Sequence, residues 1–379
     1  VKKIKAVFEI TKSLHTIGTI EQIEFRIVKK YPITVSYAEL AEIRELDECE
    51  VLKNNQGSLF KLTEEEFLAI RDLLDEREAE NKRTSLDFTV PAAPYNYEND
   101  PDKPFIDPES FKDIVATLKY KKNIILQGPP GVGKTFIARK VAYQMMGKKD
   151  NARIGIVQFH QSYGYEDFIQ GYRPKEQGFE LKDGVFYRFC EHARQTNGPC
   201  FFIIDEINRG NVSKIFGETF MLIESDKRAP KDAVDLVYSR EGDDPFYIPE
   251  NVFIIGTMNT ADRSIALIDY ALRRRFAFCT LEPVFGDAFK AFMRERGISE
   301  RLLESICRNI NSINDMIAAD PALKAGYKIG HSYFCADIAD GDEERWWKTI
   351  REAELKPLIE ELWFDDVSMQ QKAFNHLNA

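Results

Sequence analysis

Paired cysteines, long apolar runs and an excess of positive charge are all missing from this sequence. The six cysteines (Cys49, Cys190, Cys200, Cys279, Cys307 and Cys335) are scattered, with no C-x-x-C pair and no histidine at ligand spacing. That argues against a disulfide framework or a zinc site and predicts a reducing compartment. No apolar run approaches the roughly 18 residues needed to cross a bilayer, and no signal peptide is visible. The expectation is a soluble cytoplasmic protein with no membrane attachment. A formal net charge of −10 removes the global basic field that advertises nucleic-acid binding, though not a local patch. There is no P-D…(D/E)-x-K nuclease pattern, no internal repeat and no low-complexity tract. Any DNA cleavage is therefore expected to come from a partner. The 379 residues suffice for two or three domains. Beginning at Val1 rather than methionine, the chain is expected to be a fragment or a processed form.

What is present is alternation. Residues 1–78 read as a small α/β unit, with the alternating runs "IKAVFEI" (4–10) and "IEFRI" (23–27) as half-buried strands. "SYAE" (36–39) and "TEEE" (63–66) match the capping box, and the second opens a helix with Phe67, Ile70 and Leu74 on one stripe. The basic run "RIVKKY" (26–31) is either a phosphate contact or a solvated strand end. Residues 79–104 are charged and then proline-rich, which predicts a linker. From 105 to 284, strands at 123–127, 154–159, 200–204, 251–257 and 277–281 alternate with helices near 109–119, 134–146, 185–195, 211–224 and 265–274. This order predicts an α/β fold, a parallel sheet flanked by helices. "FELKDGVFYRF" (179–189) and "VDLVYSREGDDPFYI" (234–248) look like hairpin insertions turning at a D-G or G-D pair. From 285 to 379 the pattern is helical only, which predicts a separate α-helical subdomain.

Three strand ends carry chemistry. "GPPGVGKT" (128–135) fits G-x-x-x-x-G-K-[ST], between the strand "NIILQ" and a helix. Gly128, Gly131 and Gly133 let backbone N–H groups turn inward, Lys134 adds charge at the β/γ-phosphates, and Thr135 can ligate Mg²⁺. Pro129, Pro130, Val132 and Phe136 complete the expected nucleotide-binding stretch. "CFFIIDEINRG" (200–210) ends a buried strand in Asp205 and Glu206, on a strand expected to neighbour the phosphate loop. Asp205 suits Mg²⁺ held through water, and Glu206 can orient or activate a water for attack on the γ-phosphate. No protein hydroxyl acceptor is in view, so hydrolysis is expected rather than phosphotransfer. "VFIIGTMNTADRS" (252–264) is a third strand end, which brings Asn259 to the same crevice. "IDYALRRRF" (268–276) then ends a helix in three arginines. They either complement the helix dipole or offer a finger to a neighbouring subunit's nucleotide.

This order of motifs resembles the AAA+ ATPases. Within them, "GPPGVGKTF", "DEINRGNVSKIFGE", "MNTADRSIALIDYALRRRF" and "IGHSYF" resemble the McrB family, nucleotide-driven subunits of modification-dependent restriction systems. The resemblance implies an AAA+ P-loop core with a helical lid. It also implies GTP rather than ATP as substrate, a hexameric ring, and a McrC-type partner that stimulates hydrolysis and brings the nuclease. Carried over residue by residue, it makes Asp205 and Glu206 the Mg²⁺ and water residues and puts Asn259 and Asp262 at the hydrolysis site. It makes Arg274 or Arg275 the finger, and Lys328 and His331 second-sensor candidates. His331 reads equally well as a satisfied helix-start histidine. Asp262 could polarise Asn259, contact the water, or hold Arg263. The guanine preference comes from the resemblance alone; composition and spacing would give ATP.

Residues 1–78 resemble the later part of an EVE/YTH-like domain, on "IKAVFEITK", "FRIVKKYPITVSYAEL" and "NNQGSLFKLTEEEFLAI". That implies a reader of modified DNA bases whose pocket lies mostly upstream of Val1. A second reading of the whole is an ATP-driven remodelling protein of the MoxR or dynein-like kind, with a protein-binding N-terminal unit. A third, a nucleotide-dependent scaffold that barely turns over, is disfavoured by Glu206, Asn259 and the arginines.

Overall fold

The first compact unit, Val1–Pro91, opens with two long antiparallel strands, β1 (Lys3–Ile17) and β2 (Ile20–Ser36). Both run well past the alternating stretches seen in the sequence, with register shifts along the ladder. The computed structural model describes residues 3–17, 20–36, scattered positions between 40 and 74, and 92–378 apart from 176–177, 240–241, 262–269, 337 and 339–340. The capping box at 63–66 forms both of its bonds: Glu66 N–H donates to Thr63 Oγ1 at 3.2 Å, and Thr63 N–H to Glu66 Oε2 at 2.6 Å. Ile70 and Leu74 are buried, whereas Phe67 is exposed. "NNQG", and Tyr37, Ala38 and Glu39 of the other expected box, lie outside the described residues.

The second unit, Ala92–Ala379, starts inside the stretch expected to be a linker. Residues 92–104 pack. Tyr95 N–H donates to Gly147 O, Tyr97 stacks on Phe111 with ring centroids 4.0 Å apart, and Lys140 Nζ meets Asp100 Oδ2 at 2.5 Å. Counting aliphatics misses this segment, because tyrosines and a paired aspartate are what it buries.

Five parallel strands form the central sheet, in the order β4 (Ile154–Gln158), β7 (Cys200–Asp205), β8 (Val252–Asn259), β3 (Asn123–Gly128), β9 (Ala277–Thr280). The central strands are near-continuous apolar runs because helices cover both faces. Ile124, Leu126, Ile203 and Ile255 join one buried cluster, and Ile125, Phe202, Ile204 and Ile254 the other. The expected strands and helices are found with small shifts, with two exceptions: 211–224 breaks into a short helix (Val212–Phe216) and a 3-10 run (Gly217–Ile223), and of 265–274 only the part from Tyr270 is described, as the helix Tyr270–Arg275. Gly217, at φ +53, marks the break.

The first hairpin lies earlier than the D-G pair suggests. Its strands are β5 (Gln170–Lys175) and β6 (Gly178–Asp183), and Gly184 instead precedes the helix Val185–Arg194. Among the described residues of the second, Val234 and Phe246 form an antiparallel bridge.

At the amino ends of the strands lies a buried arginine, Arg228. Its guanidinium donates to Ile223 O, Val252 O and Asn123 Oδ1. Asn123 Nδ2 in turn donates to Ile223 O and Arg275 O. Burial pulls the Arg228 guanidinium down to about 10, so it stays charged at neutral pH.

The lid follows, with helices Asp287–Glu295, Glu300–Ala319, Glu343–Ile350, Lys356–Leu362 and Val367–Asn378 around their own apolar core. Among the described residues, no helix is long and apolar enough to cross a membrane.

Candidate functional site

The loop between β3 and the helix Lys134–Met146 turns where glycine allows it. Gly131 (φ +79) and Gly133 (φ +74) both sit in the left-handed region. The loop therefore opens onto a helix N-terminus, where free N–H groups and the dipole favour an anion. Lys134 is almost fully buried, and its ammonium donates to Gly128 O at 3.1 Å, Pro129 O at 2.8 Å and Asn259 Oδ1 at 2.5 Å.

The acidic strand does not neighbour the phosphate-loop strand as expected. β8 lies between β7 and β3, so Gly128 pairs in register with Asn259. The consequence is chemical: the asparagine stands between the lysine and the acids. Asn259 accepts from Lys134 on one side and donates through Nδ2 to Glu206 Oε1 on the other. Glu206 is a non-glycine residue at φ +52, a conformation that costs of the order of 1–3 kcal/mol and persists where surroundings fix it. Its N–H donates to Thr257 Oγ1 at 3.2 Å, and its carboxylate lies 3.5 Å from Arg209 Nε.

Two hydroxyls converge on one oxygen of Asp205. Thr135 Oγ1 donates to Oδ1 at 2.8 Å and Thr257 Oγ1 at 2.5 Å. Thr135 and Asp205 thus bring together two oxygens of the hard kind that Mg²⁺ takes. These residues fit the ion. Among the described residues there is no group of three or more His, Cys, Asp or Glu that could hold a metal unaided.

The arginines part company. Arg275 is mostly buried, pairs with Glu224 Oε1 at 2.8 Å and lies 4.4 Å over the Phe220 ring. Arg274 is 77% exposed, with Glu224 Oε2 at 3.7 Å. Asp262 and Arg263 lie outside the described residues.

The lid reaches the loop through its backbone. Ser332 N–H donates to Gly131 O at 2.9 Å, and Gly330 lies so close to Pro130 and Gly131 that any Cβ there would clash. Lys328 pairs with Glu282 at 2.8 Å. His331 starts a short 3-10 turn, Nδ1 accepts from Val284 N–H at 3.3 Å, and burial pushes the ring down to about 4. His331 Nε2 thus lies beside Gly133 of the loop, while Lys328 is engaged by Glu282. Phe136 is part-exposed, with Lys140 Nζ 4.8 Å over its ring.

Two participants escaped the sequence reading. Thr257 is a hydroxyl inside an otherwise apolar strand, which was a usable signal. Arg209 lies three residues after Glu206, a spacing that many surface pairs share.

Strand ends arranged this way, under a helical lid, define the class as an AAA+ P-loop nucleotide hydrolase. Residues 123–276 match the AAA domain of the dynein-related subfamily, and residues 305–371 match the alpha-helical lid domain of McrB. Over its AAA domain and lid the chain is similar to the McrB family. It is 51% identical over 278 residues to the "Type IV methyl-directed restriction enzyme EcoKMcrB subunit" of Escherichia coli (strain K12), covering 72% of this chain and 61% of that protein. It is 28% identical over 230 residues to the "Type II restriction enzyme BsuMI component YdiS" of Bacillus subtilis (strain 168), covering 50% of this chain and 66% of that one. The chain thus spans less than two thirds of the length of either relative.

Proposed function

We propose that the chain is the GTP-hydrolysing motor subunit of a cytoplasmic, modification-dependent DNA restriction complex. It works as a hexameric ring with a McrC-type partner that supplies the nuclease, and its N-terminal unit, EVE/YTH-like, meets modified DNA. The observation that carries the hydrolase reading is the Asn259 amide, joined to Lys134 on one side and Glu206 on the other, beside the Thr135–Asp205 pair. A phosphate entering the loop takes Lys134 from the carbonyls that hold it. Asn259 then holds the γ-phosphate or its water, and Glu206 orients that water for in-line attack. Thr135 with Asp205 would hold Mg²⁺, which when bound would supply positive charge to offset that developing on the phosphates. Arg274, the exposed arginine, is the one offered to a neighbouring subunit, and Arg275 holds the helix end against Glu224 and Phe220.

The guanine preference is supported by kinship with the McrB family. The dynein-related character of the AAA domain favours the competing reading, an ATP-driven remodelling protein with a protein-binding N-terminal unit. Steady-state turnover of GTP and ATP by the purified chain, with and without a McrC-type partner and with Glu206→Gln as the blank, separates the two. Faster GTP turnover is expected; equal or faster ATP turnover overturns the proposal in favour of the second reading.

A further inference from the structure

The strand that carries Asn259 passes directly into a contact with the lid. Its next residue, Thr260, is fixed twice. The Thr260 N–H donates to Gly128 O at 3.1 Å, where the phosphate loop begins, and its hydroxyl donates to Gly326 O at 3.2 Å, in the lid. Gly326 lies in a 3-10 turn, Ala325–Tyr327. A Cβ on Gly326 would stand 3.1 Å from Thr260 Oγ1, 3.2 Å from its Cβ and 3.3 Å from its carbonyl oxygen. The turn thus packs on both the side chain and the backbone of Thr260, and the bare Cα of a glycine is what lets it come so close.

The turn is also held from the lid side. Lys324, just before it, sits at φ +64, a left-handed conformation that costs a non-glycine residue of the order of 1–3 kcal/mol and persists where the surroundings fix it. Here they do. Lys324 N–H donates to Asp320 O at 3.0 Å, and Asp320 Oδ2 accepts from Trp363 Nε1 at 2.8 Å, at the end of the long lid helix Glu300–Ala319. An unbroken path of bonded residues therefore runs from the lid core through Gly326 O to Thr260, one peptide unit from Asn259.

We infer that Thr260 is a positioning residue for the hydrolysis, through which the lid sets where the Asn259 amide stands between Lys134 and Glu206. The Thr260 N–H belongs to the peptide that follows Asn259 and ties it to the loop; the hydroxyl ties the same residue to the lid. A lid displaced from the core breaks the second bond and leaves the first. Asn259 then keeps its register in the sheet but loses one of the two holds on the residue beyond it. An amide that orders an attacking water has to be held to within roughly 0.5 Å, so a small loosening is felt as lost turnover. The inference rests on the proposed hydrolytic role of Asn259 and names what couples that role to the lid.

The test uses the full chain with three substitutions. Thr260→Val removes the hydroxyl and keeps the shape and the N–H, Thr260→Ser restores the hydroxyl, and Gly326→Ala presses on the same contact from the lid. Turnover over a range of GTP concentrations, affinity for a slowly hydrolysed GTP analogue and thermal melting are measured for each, beside the unchanged chain and Asn259→Ala. Thr260→Val is expected to lose roughly three- to tenfold in saturating turnover, the worth of one hydrogen bond, with analogue affinity held within about twofold. Thr260→Ser recovers most of that loss. Gly326→Ala loses turnover similarly, and the double variant is no slower than the slower single one, because both changes break one contact. Unchanged turnover in Thr260→Val, a loss that serine does not rescue, or single losses that multiply in the double variant overturns the Thr260 assignment and leaves the hydrolysis site standing. Turnover that Asn259→Ala leaves intact overturns the site itself and the role of Thr260 with it.

Discussion

Each end of the central sheet buries a cation in the same way. At the carboxyl ends, Lys134 is held by two backbone carbonyls and the side-chain oxygen of Asn259. At the amino ends, Arg228 is held by two backbone carbonyls and the side-chain oxygen of Asn123. The difference is in the partners. Lys134 borrows its carbonyls from a glycine-bearing loop that opens at a helix N-terminus, where a phosphate can replace them. Arg228 takes its carbonyls from the end of a 3-10 run and the start of β8, and its asparagine also carries the Arg275 carbonyl. One arrangement is a site and the other a fastener. A buried cation alone does not say which; replaceable partners do.

The largest expected effect tests the fastener. Arg228→Ala removes the guanidinium donor from Asn123 Oδ1 and Val252 O and one of the donors from Ile223 O, and should destabilise the AAA core by about 3–5 kcal/mol. A chemical or thermal melt that barely moves would break the comparison. Lys134→Ala should do the reverse: nucleotide affinity falls at least about a hundredfold while the melting temperature shifts little, since Gly128 O keeps the Thr260 N–H as a donor. Loss of fold without a specific loss of binding would make Lys134 a second fastener. Glu206→Gln should keep binding and lower turnover by roughly 10²–10⁴-fold. Binding and turnover lost together would show that the strained acid serves the loop's shape. The smallest effect concerns His331. Its folded form holds the proton less well than the unfolded chain, so the unfolded state binds more protons between about 4 and the ordinary histidine range. Stability is full above that range and falls on acidification through it. His331→Gln should flatten that part of the pH–melting profile; an unchanged slope would place the pH dependence elsewhere.

Much of this was legible in the sequence because it is local. The phosphate loop, the acidic pair and Asn259 each occupy a contiguous stretch at the end of an apolar run, and strand–helix alternation brings such ends to one edge. The sheet order was not legible. Nothing in the run "CFFIID" says that β8 inserts beside it, and that insertion is what sets Asn259 between lysine and acid. The packing of 92–104 was hidden by its prolines. The early hairpin was misread because a D-G pair serves a helix start as readily as a turn. The two arginines look alike in "ALRRRF"; only Glu224 and Phe220, some 50 residues earlier, separate them.

The central claim, that a strand-end site is completed by a neighbour's exposed arginine, is tested most directly by mixing subunits. Arg274→Ala and Glu206→Gln chains should each be nearly inactive alone. Mixed in one assembly, they should regain part of the nucleotide turnover, at interfaces where an intact Arg274 meets an intact Glu206, and Arg275→Ala should not substitute for Arg274→Ala. Turnover that stays at the level of the separate variants would contradict a shared site built on Arg274.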